Sequence, residues 1–445
     1  HFGPRRRRAG AVPLAMVQQF ARAGCSSLYL HFSTFTASWI VGASIGGPSP
    51  GDFSFLAVGD WGGLNDAEPV TDAQLSTAQG LSTVAGTIPQ DGFVMMMGDN
   101  FYDHGIHEHC LATSPRFKET FEDVYAAVPQ HMFYVLAGNH DYGEGMPANV
   151  SAQVAYTASS SRWHFPHLWY NIKRDFVVQG QKRSLQVFVI DTVVLCGRSE
   201  IPEGYIDDQL GFLGMPAGAL PGDVRKHWSR IQWAWLEEGL ASSTADYLWV
   251  AGHFPIWSAG QDGPTECLIE HLRPLLHKHG AHYMSGHDHN LEHFYDDGVQ
   301  MFVVGIGKEC CYDPEHREVV PAHSLKYLLS GVNGEGSVPP PPFPVYGGFA
   351  SFHLGPEVSH VQFHAHNGTV LYTAEPIPRR ALAGGRWTAG TKATTSFREW
   401  PQMASLGHYA VLGALLGSLP FLTFFLSQLR RGGKTATQLV EPLLA

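Results

Sequence analysis

An α/β fold built around a largely buried sheet is predicted by three observations. Short apolar runs of strand length alternate with longer helical stretches, five of those runs end in a glycine followed by a polar residue, and three further strand-like runs close the domain. In chain order, FSFLAV (53–58) opens the pattern and a helical stretch at 71–86 follows. GFVMMM (92–97), MFYVLA (132–137) and LQVFVI (185–190) are apolar or β-branched and bounded by turn residues, so they read as strands. A helix over 225–241, a strand YLWVA (247–251), a helix over 267–278 and a strand AHYMS (281–285) continue the alternation. FVVG (302–305), FASFHL (349–354) and VSHVQFHA (358–365) suggest the strands that complete a two-sheet sandwich, while 331–348 with its PPPPFP run reads as an exposed loop. No internal repeat is apparent.

The polar blocks carry the chemistry. GDWG (59–62), GDNFY (98–102), GNHD (138–141), GHF (252–254) and GHDH (286–289) each follow directly on a strand. In open α/β sheets the ligand site lies beyond the strand carboxyl ends, so these loops are expected to converge although 230 residues of sequence separate the first from the last. Asp60, Asp99, Tyr102, Asn139, His253, His287 and His289 then offer oxygen and imidazole donors, and a carboxylate such as Asp99 can bridge two cations. The set predicts a two-metal hydrolase with no thiolate ligand. His104, His107 and His109 trail the GDNFY block and read as a solvated loop.

The 445-residue chain is long enough for one medium domain with additions at both ends. A formal net charge of −11 argues against a chain that wraps nucleic acid, since phosphate-backbone binding needs a clustered positive surface. An anionic substrate would have to be held by local charge, which metal ions supply.

The predicted organisation is an N-terminal extension with a secretory signal (1–50), a catalytic domain (51–380), a linker (381–405), a transmembrane helix (406–429) and a short basic cytosolic tail (430–445). Residues 28–46 follow Arg22 and end in small residues, the order of a signal with cleavage near 43–47, and Met16 is a candidate initiator. Tyr409 to Leu429 holds no charged residue and is followed by Arg430, Arg431 and Lys434, which predicts a single span with the catalytic domain lumenal or extracellular, in the secretory pathway or at the cell surface. Setting Cys25 aside, Cys110, Cys196, Cys267, Cys310 and Cys311 include no C-x-x-C pair, so one or two disulfides and an odd thiol are expected in an oxidising lumen. Asn149 and Asn367 begin N-x-S/T sequons usable in the same compartment.

The five blocks, in this order and spacing, resemble the calcineurin-like metallophosphoesterase superfamily, and GDNFY with its tyrosine narrows the resemblance to the purple acid phosphatases. Similarity to the animal-type, tartrate-resistant branch extends through ETFEDVY (119–125), YVLAGNHD (134–141), NVSAQVAY (149–156), DTVVLCG (191–197), DYLWVAGHFPIWS (246–258), HLRPLLHKHG (271–280) and SGHDHNL (285–291), over about 52–380. The resemblance implies a four-layer α/β/β/α sandwich with a dinuclear metal site at the strand C-terminal ends. It implies that Asp60, Tyr102 and His289 hold Fe(III), that Asn139, His253 and His287 hold Fe(II) or Zn(II), that Asp99 bridges, and that Cys196 pairs with Cys267. The implied activity is acid hydrolysis of phosphate monoesters by a metal-bound hydroxide. His140, next to Asn139, is the candidate to contact phosphate and protonate the leaving alcohol, Asn139 and His253 face the same phosphate, and Asp141 would orient a ligand or loop.

Two departures from the branch stand out. Where the animal-type enzymes carry a second pocket histidine in an A-E-H-G context, this chain has Gly260-Gln261-Asp262-Gly263, and Asp262 cannot supply a positive charge. The stretch 198–226, a protease-sensitive loop in the family, also differs. An alternative reading follows from the ends: a signal, this domain and a C-terminal anchor also resemble the glideosome-associated membrane anchors, scaffolds that recruit a motor complex. Those relatives have eroded ligand positions, whereas all seven are intact here, which favours catalysis.

Overall fold

The computed structural model describes residues 48–49, 51–107, 110–128, 131–143, 148–196 and 224–380, together with a small strand pair at 382–383 and 386–387. The predicted signal, the transmembrane segment 406–429, the tail 430–445, most of the linker, His109 and the loop 197–223 lie outside the described residues. Among the described residues no helix is long and apolar enough to cross a membrane. The chain divides into two units at Arg380, the first carrying the α/β domain and the second, as far as it is described, the antiparallel pair Leu382–Ala383 and Arg386–Trp387.

Two mixed sheets form the domain. The first runs in the order β14 (Val370–Thr373), β13 (Val358–Ala365), β12 (Gly348–Leu354), β1 (Phe53–Val58), β2 (Phe93–Met96), β3 (Met132–Val135) and β4 (Trp163–His164), with β15 (Ile377–Pro378) paired to β13. The second runs β11 (Leu325–Leu329), β9 (Leu291–Asp296), β10 (Val299–Val304), β8 (His282–Ser285), β7 (Tyr247–Ala251), β6 (Gln181–Val189) and β5 (Tyr170–Val178). Strands β1 to β4 are mutually parallel, as are β6, β7, β8 and β10; antiparallel strands flank the second block on both sides and the first on its β1 side. Because the central parallel strands are covered on both faces, they read as near-continuous apolar runs rather than alternating, and β1, β2 and β7 are buried at every position.

The period-two geometry of a strand decides which layer each side chain joins. From β1, Phe53, Phe55 and Ala57 point between the sheets, where Trp249 and Phe302 of the second sheet meet Phe352 of the first at ring-centroid distances of 5.1 and 5.9 Å. Leu56 and Val58 point outward, into a cluster with Leu81 and Ala85 of the helix Asp72–Ala85. On the second sheet, Leu248 and Val250 pack outward with Leu236, Leu240, Leu272 and Leu276. The result is a helix, sheet, sheet, helix sandwich.

The expected strands are all present. The helix predicted over 267–278 is instead two, Glu266–Glu270 and Leu272–His279, broken at His271. Pro274 explains the break, since its ring would clash with the carbonyl of Glu270 four residues earlier. Strands β4, β5, β9, β11, β14 and β15 were not anticipated. Cys196 and Cys267 are disulfide-bonded with Cα atoms 5.6 Å apart, Cys310 and Cys311 are joined to each other, and Cys110 is a free thiol.

Candidate metal centre

Five parallel strands end at one edge of the sandwich, and backbone hydrogen bonds there join the loops within each sheet and, at Gly59, across the two sheets. Gly59 N–H donates to Val304 O (2.8 Å), Asp60 N–H to Gly98 O (3.0 Å) and Gly286 N–H to His253 O (3.0 Å). The glycines of the blocks are required by space. A Cβ at Gly138 would lie 2.1 Å from Asp99 Oδ1, and one at Gly286 2.4 Å from Asp60 Oδ2. Asp60, Asp99 and His287 pay a conformational penalty to face inward, with φ of +56°, +51° and +75°, the left-handed region that L-residues avoid unless the surroundings impose it.

All seven predicted donors converge and are buried. Around the Tyr102 hydroxyl lie Asp99 Oδ2 at 2.8 Å, His289 Nε2 at 3.0 Å and Asp60 Oδ1 at 3.1 Å. The other oxygen of the same carboxylate, Asp99 Oδ1, lies 3.3 Å from His253 Nε2, which is 3.0 Å from Asn139 Oδ1. Donor atoms of Asp99, His253 and His287 lie within 4.8 Å of one another, and the His253 and His287 rings are 5.1 Å apart. Ligands bonded at about 2.0 to 2.1 Å and at right angles around one ion stand about 2.9 Å apart, so both groups have the spacing of a coordination shell. Asp99 belongs to both.

The electrostatics are those of a site made for cations. Burial pushes the Asp60 carboxyl above its ordinary range, and burial followed by the Asp99 and Asp60 carboxylates pushes the Tyr102 phenol well above its own. For Asp99 burial acts upward too, but the imidazoles of His253 and His140 outweigh it and hold the carboxyl well below the usual value. Burial opposes protonation of His253 and His289, yet the facing carboxylates raise both to about 9. The ion-pair partners of the two buried carboxylates are thus imidazoles, which a metal would replace with a fixed charge. The donor set fits two ions: three anionic oxygens and one imidazole on one side, two imidazoles and an amide oxygen on the other, sharing Asp99. His253 Nδ1 donates to Met97 O (2.8 Å), which leaves Nε2 free to face the site.

His140 stands at the mouth. Its backbone N–H donates to Asp99 Oδ1 (3.0 Å), its Nδ1 lies 2.6 Å from Asp103 O, and its ring packs on Tyr102 at 4.4 Å. Asp141 is fully buried and touches no reacting position. It accepts from Gly138 N–H (2.8 Å), Asn100 N–H (3.0 Å) and Gln153 Nε2–H (2.9 Å), with its carboxyl pushed up to about 7 by burial and by Asp99. It therefore ties the GDN loop to the GNHD loop. A cavity of about 340 Å³ opens beside Tyr102, lined by Asn65, Asp66, Asp103, His104 and His107, so two of the trailing histidines line a space that reaches one of the donors.

Several supporting residues went unanticipated. Asn100 donates to Leu136 O (2.8 Å) and accepts from Trp61 Nε1–H (3.1 Å), knotting three ligand loops. Buried Asp288 accepts from the Asp262 and Gly263 N–H groups at 2.9 and 3.1 Å, and Glu292 from the Ser258 hydroxyl and Ala259 N–H at 3.0 and 2.9 Å, so two carboxylates hold the 258–263 loop. Lys308 and Glu309 flank Tyr102 and His289. Only spatial proximity reveals them, because no spacing rule links residue 308 to residue 102.

Comparison with known proteins agrees with this geometry. Residues 53–291 match the calcineurin-like phosphoesterase family. The chain is 36% identical over 337 residues to tartrate-resistant acid phosphatase type 5 of Mus musculus, covering 75% of this chain and 92% of that protein. It is 30% identical over 288 residues to purple acid phosphatase 17 of Arabidopsis thaliana, covering 64% and 76%. Among solved structures, GAP50, described as the anchor in the inner membrane complex of Plasmodium, shares the fold with a TM-score of 0.56 at 22% identity, over 74% of this chain and 90% of that one.

Proposed function

The chain belongs to the calcineurin-like phosphoesterase family, on the branch of the tartrate-resistant and purple acid phosphatases, and we propose that it is an acid phosphatase hydrolysing phosphate monoesters at a dinuclear Fe(III)–M(II) centre, with M either iron or zinc. The observation that carries the reading is the Asp99 carboxylate, whose two oxygens face two different donor groups.

Asp60, Tyr102 and His289 would hold the trivalent ion, Asn139, His253 and His287 the divalent one, and Asp99 both. Hard anionic oxygens suit the first, and imidazoles with an amide oxygen suit the second. When bound, the pair of ions supplies an activated water in acid and neutralises the charge of the phosphate ester. The protein's own groups orient the exchange. The His253 to Met97 hydrogen bond and the Asp141 network fix the loops, and Asn139 and His253 line the phosphate side. His140, partly exposed at the mouth, donates a proton to the departing alcohol oxygen as the ester P–O bond breaks and the water oxygen bonds to phosphorus. Asp141 serves as a positioning residue.

Turnover of p-nitrophenyl phosphate by the purified full chain at acidic pH, measured alongside metal content, tests this reading. Iron with turnover supports it. A metal-free, inert and well-folded protein favours a scaffold instead, a role for which the likeness to GAP50 offers the fold alone.

The same proposal covers the chain's ends. Residues 28–46 as a secretory signal and 406–429 as a membrane span put the catalytic domain in a lumen or outside the cell, and in sealed microsomes added protease should then remove the tail while the catalytic domain stays protected. Of the two sequons, Asn367 lies exposed at the β13–β14 turn, whereas the Asn149 amide donates to Cys110 O (3.1 Å) and its oxygen caps the helix Val150–Tyr156. Glycosylation is accordingly expected at Asn367.

A further inference from the structure

The loop leaving β10 returns to the oxygen-rich side of the site and is fastened there. Gly307 N–H donates to Gly59 O and Lys308 N–H to Asp60 O, both at 2.9 Å, and the Thr71 hydroxyl donates to Lys308 O at 2.8 Å. This delivers a buried lysine, its side chain 7% exposed, whose ammonium lies 4.1 Å from the centre of the Tyr102 ring and 2.7 Å from Glu309 Oε1. The same Glu309 oxygen is 2.8 Å from His289 Nδ1, on the far side of the ring from the donor atom Nε2. Glu309 thus presents its carboxylate to the ring nitrogen that does not face the donor cluster. Tyr312 stacks on His289, the ring centroids 4.3 Å apart at 18°.

A lysine taken out of water costs free energy unless its charge is paired and used. Here one ion pair spans two donors of the same metal position: the cation sits on the face of the phenol ring, where the π-electrons attract it, and the anion sits on the imidazole. We propose that Lys308 and Glu309 are positioning residues that set how strongly Tyr102 and His289 donate to the trivalent ion, Lys308 drawing electron density away from donation by the phenolate and Glu309 strengthening donation by the imidazole. The inference rests on the dinuclear reading above.

A phenolate bound to ferric iron absorbs visible light by moving charge from the ring to the metal. A cation held on the ring stabilises the donor electrons more than the acceptor and raises the energy of that band. Lys308→Met keeps the length of the side chain and removes the charge, so its band maximum moves to longer wavelength. Lys308→Arg keeps the charge and restores a maximum close to that of the wild type. Lys308→Gln replaces the methionine variant should the latter not fold. Glu309→Gln weakens iron affinity by about 10- to 100-fold in competition with a chelator, the usual consequence of removing a carboxylate behind a ligand histidine.

An iron-loaded neutral variant with an unmoved band overturns the role of Lys308, and unchanged affinity in Glu309→Gln overturns that of Glu309. Wild-type protein without iron or colour overturns the dinuclear reading itself, a result separate from either.

Discussion

The two sheets contribute different chemistry to one edge. Loops after β1, β2 and β3 of the first sheet carry Asp60, Asp99, Tyr102 and Asn139, all oxygen donors, whereas loops after β7 and β8 of the second carry His253, His287 and His289, all nitrogen donors. Both sheets use the same backbone device, a glycine within three residues of the strand end that lets the next loop approach closely. Each coordination group nevertheless draws on both sheets, since His289 of the second joins the Tyr102 group and Asn139 of the first joins the His253 group. Metal binding thus pins the open edge of the sandwich, and hardness is distributed by mixing sheets.

The largest effect should come from the residue that belongs to both groups. Asp99→Ala is expected to lose both ions and reduce activity to background, whereas His287→Ala should lose the divalent ion while the visible band remains. Equal loss of both metals in the two variants would break the contrast. His140 belongs to neither coordination group, so His140→Ala should lower kcat by about 10²- to 10⁴-fold with metal content unchanged. Asp141→Asn acts through the loops of the first sheet and should weaken metal affinity by about 10- to 100-fold, as measured by titration with a chelator.

The pH dependence of stability sharpens the comparison away from the metals. In the second sheet burial depresses His282 and His293 to about 4, and in the first it depresses His353 to about 4. These side chains are neutral when folded and take up protons on unfolding near their ordinary value of about 6.5. Their stabilisation is therefore complete above that pH and is lost as pH falls toward 4, at about 1.4 kcal/mol per pKa unit per group. The melting temperature should drop between pH 6.5 and 4.5, and His353→Gln should flatten the slope. The smallest effect is expected at the exposed Asp262, where Asp262→His should shift substrate preference or pH optimum without changing metal content. An unchanged profile removes that residue from the account.

The sequence made the central strands and the seven donors legible because apolar runs that end in Gly-polar blocks report burial and a turn together. It concealed β5, whose nine residues YNIKRDFVV bury only Ile172, Phe176 and Val178 and expose charges between them. Strand β9 was hidden because its buried positions include Glu292 and His293, residues that read as loop until their partners Ser258 and Gln300 are seen. Lys308, Glu309 and Asp288 were illegible for a related reason. Their importance is set by what they touch across the fold, and local periodicity carries none of that information.

The central claim is that one carboxylate holds two ions, one of them bound by a phenolate. Metal analysis and a visible spectrum of purified wild type and Tyr102→Phe test it most directly. The account predicts two metal ions per wild-type chain, iron among them, with a visible band that disappears in the variant. Iron-free wild type, or a coloured Tyr102→Phe protein, would contradict it.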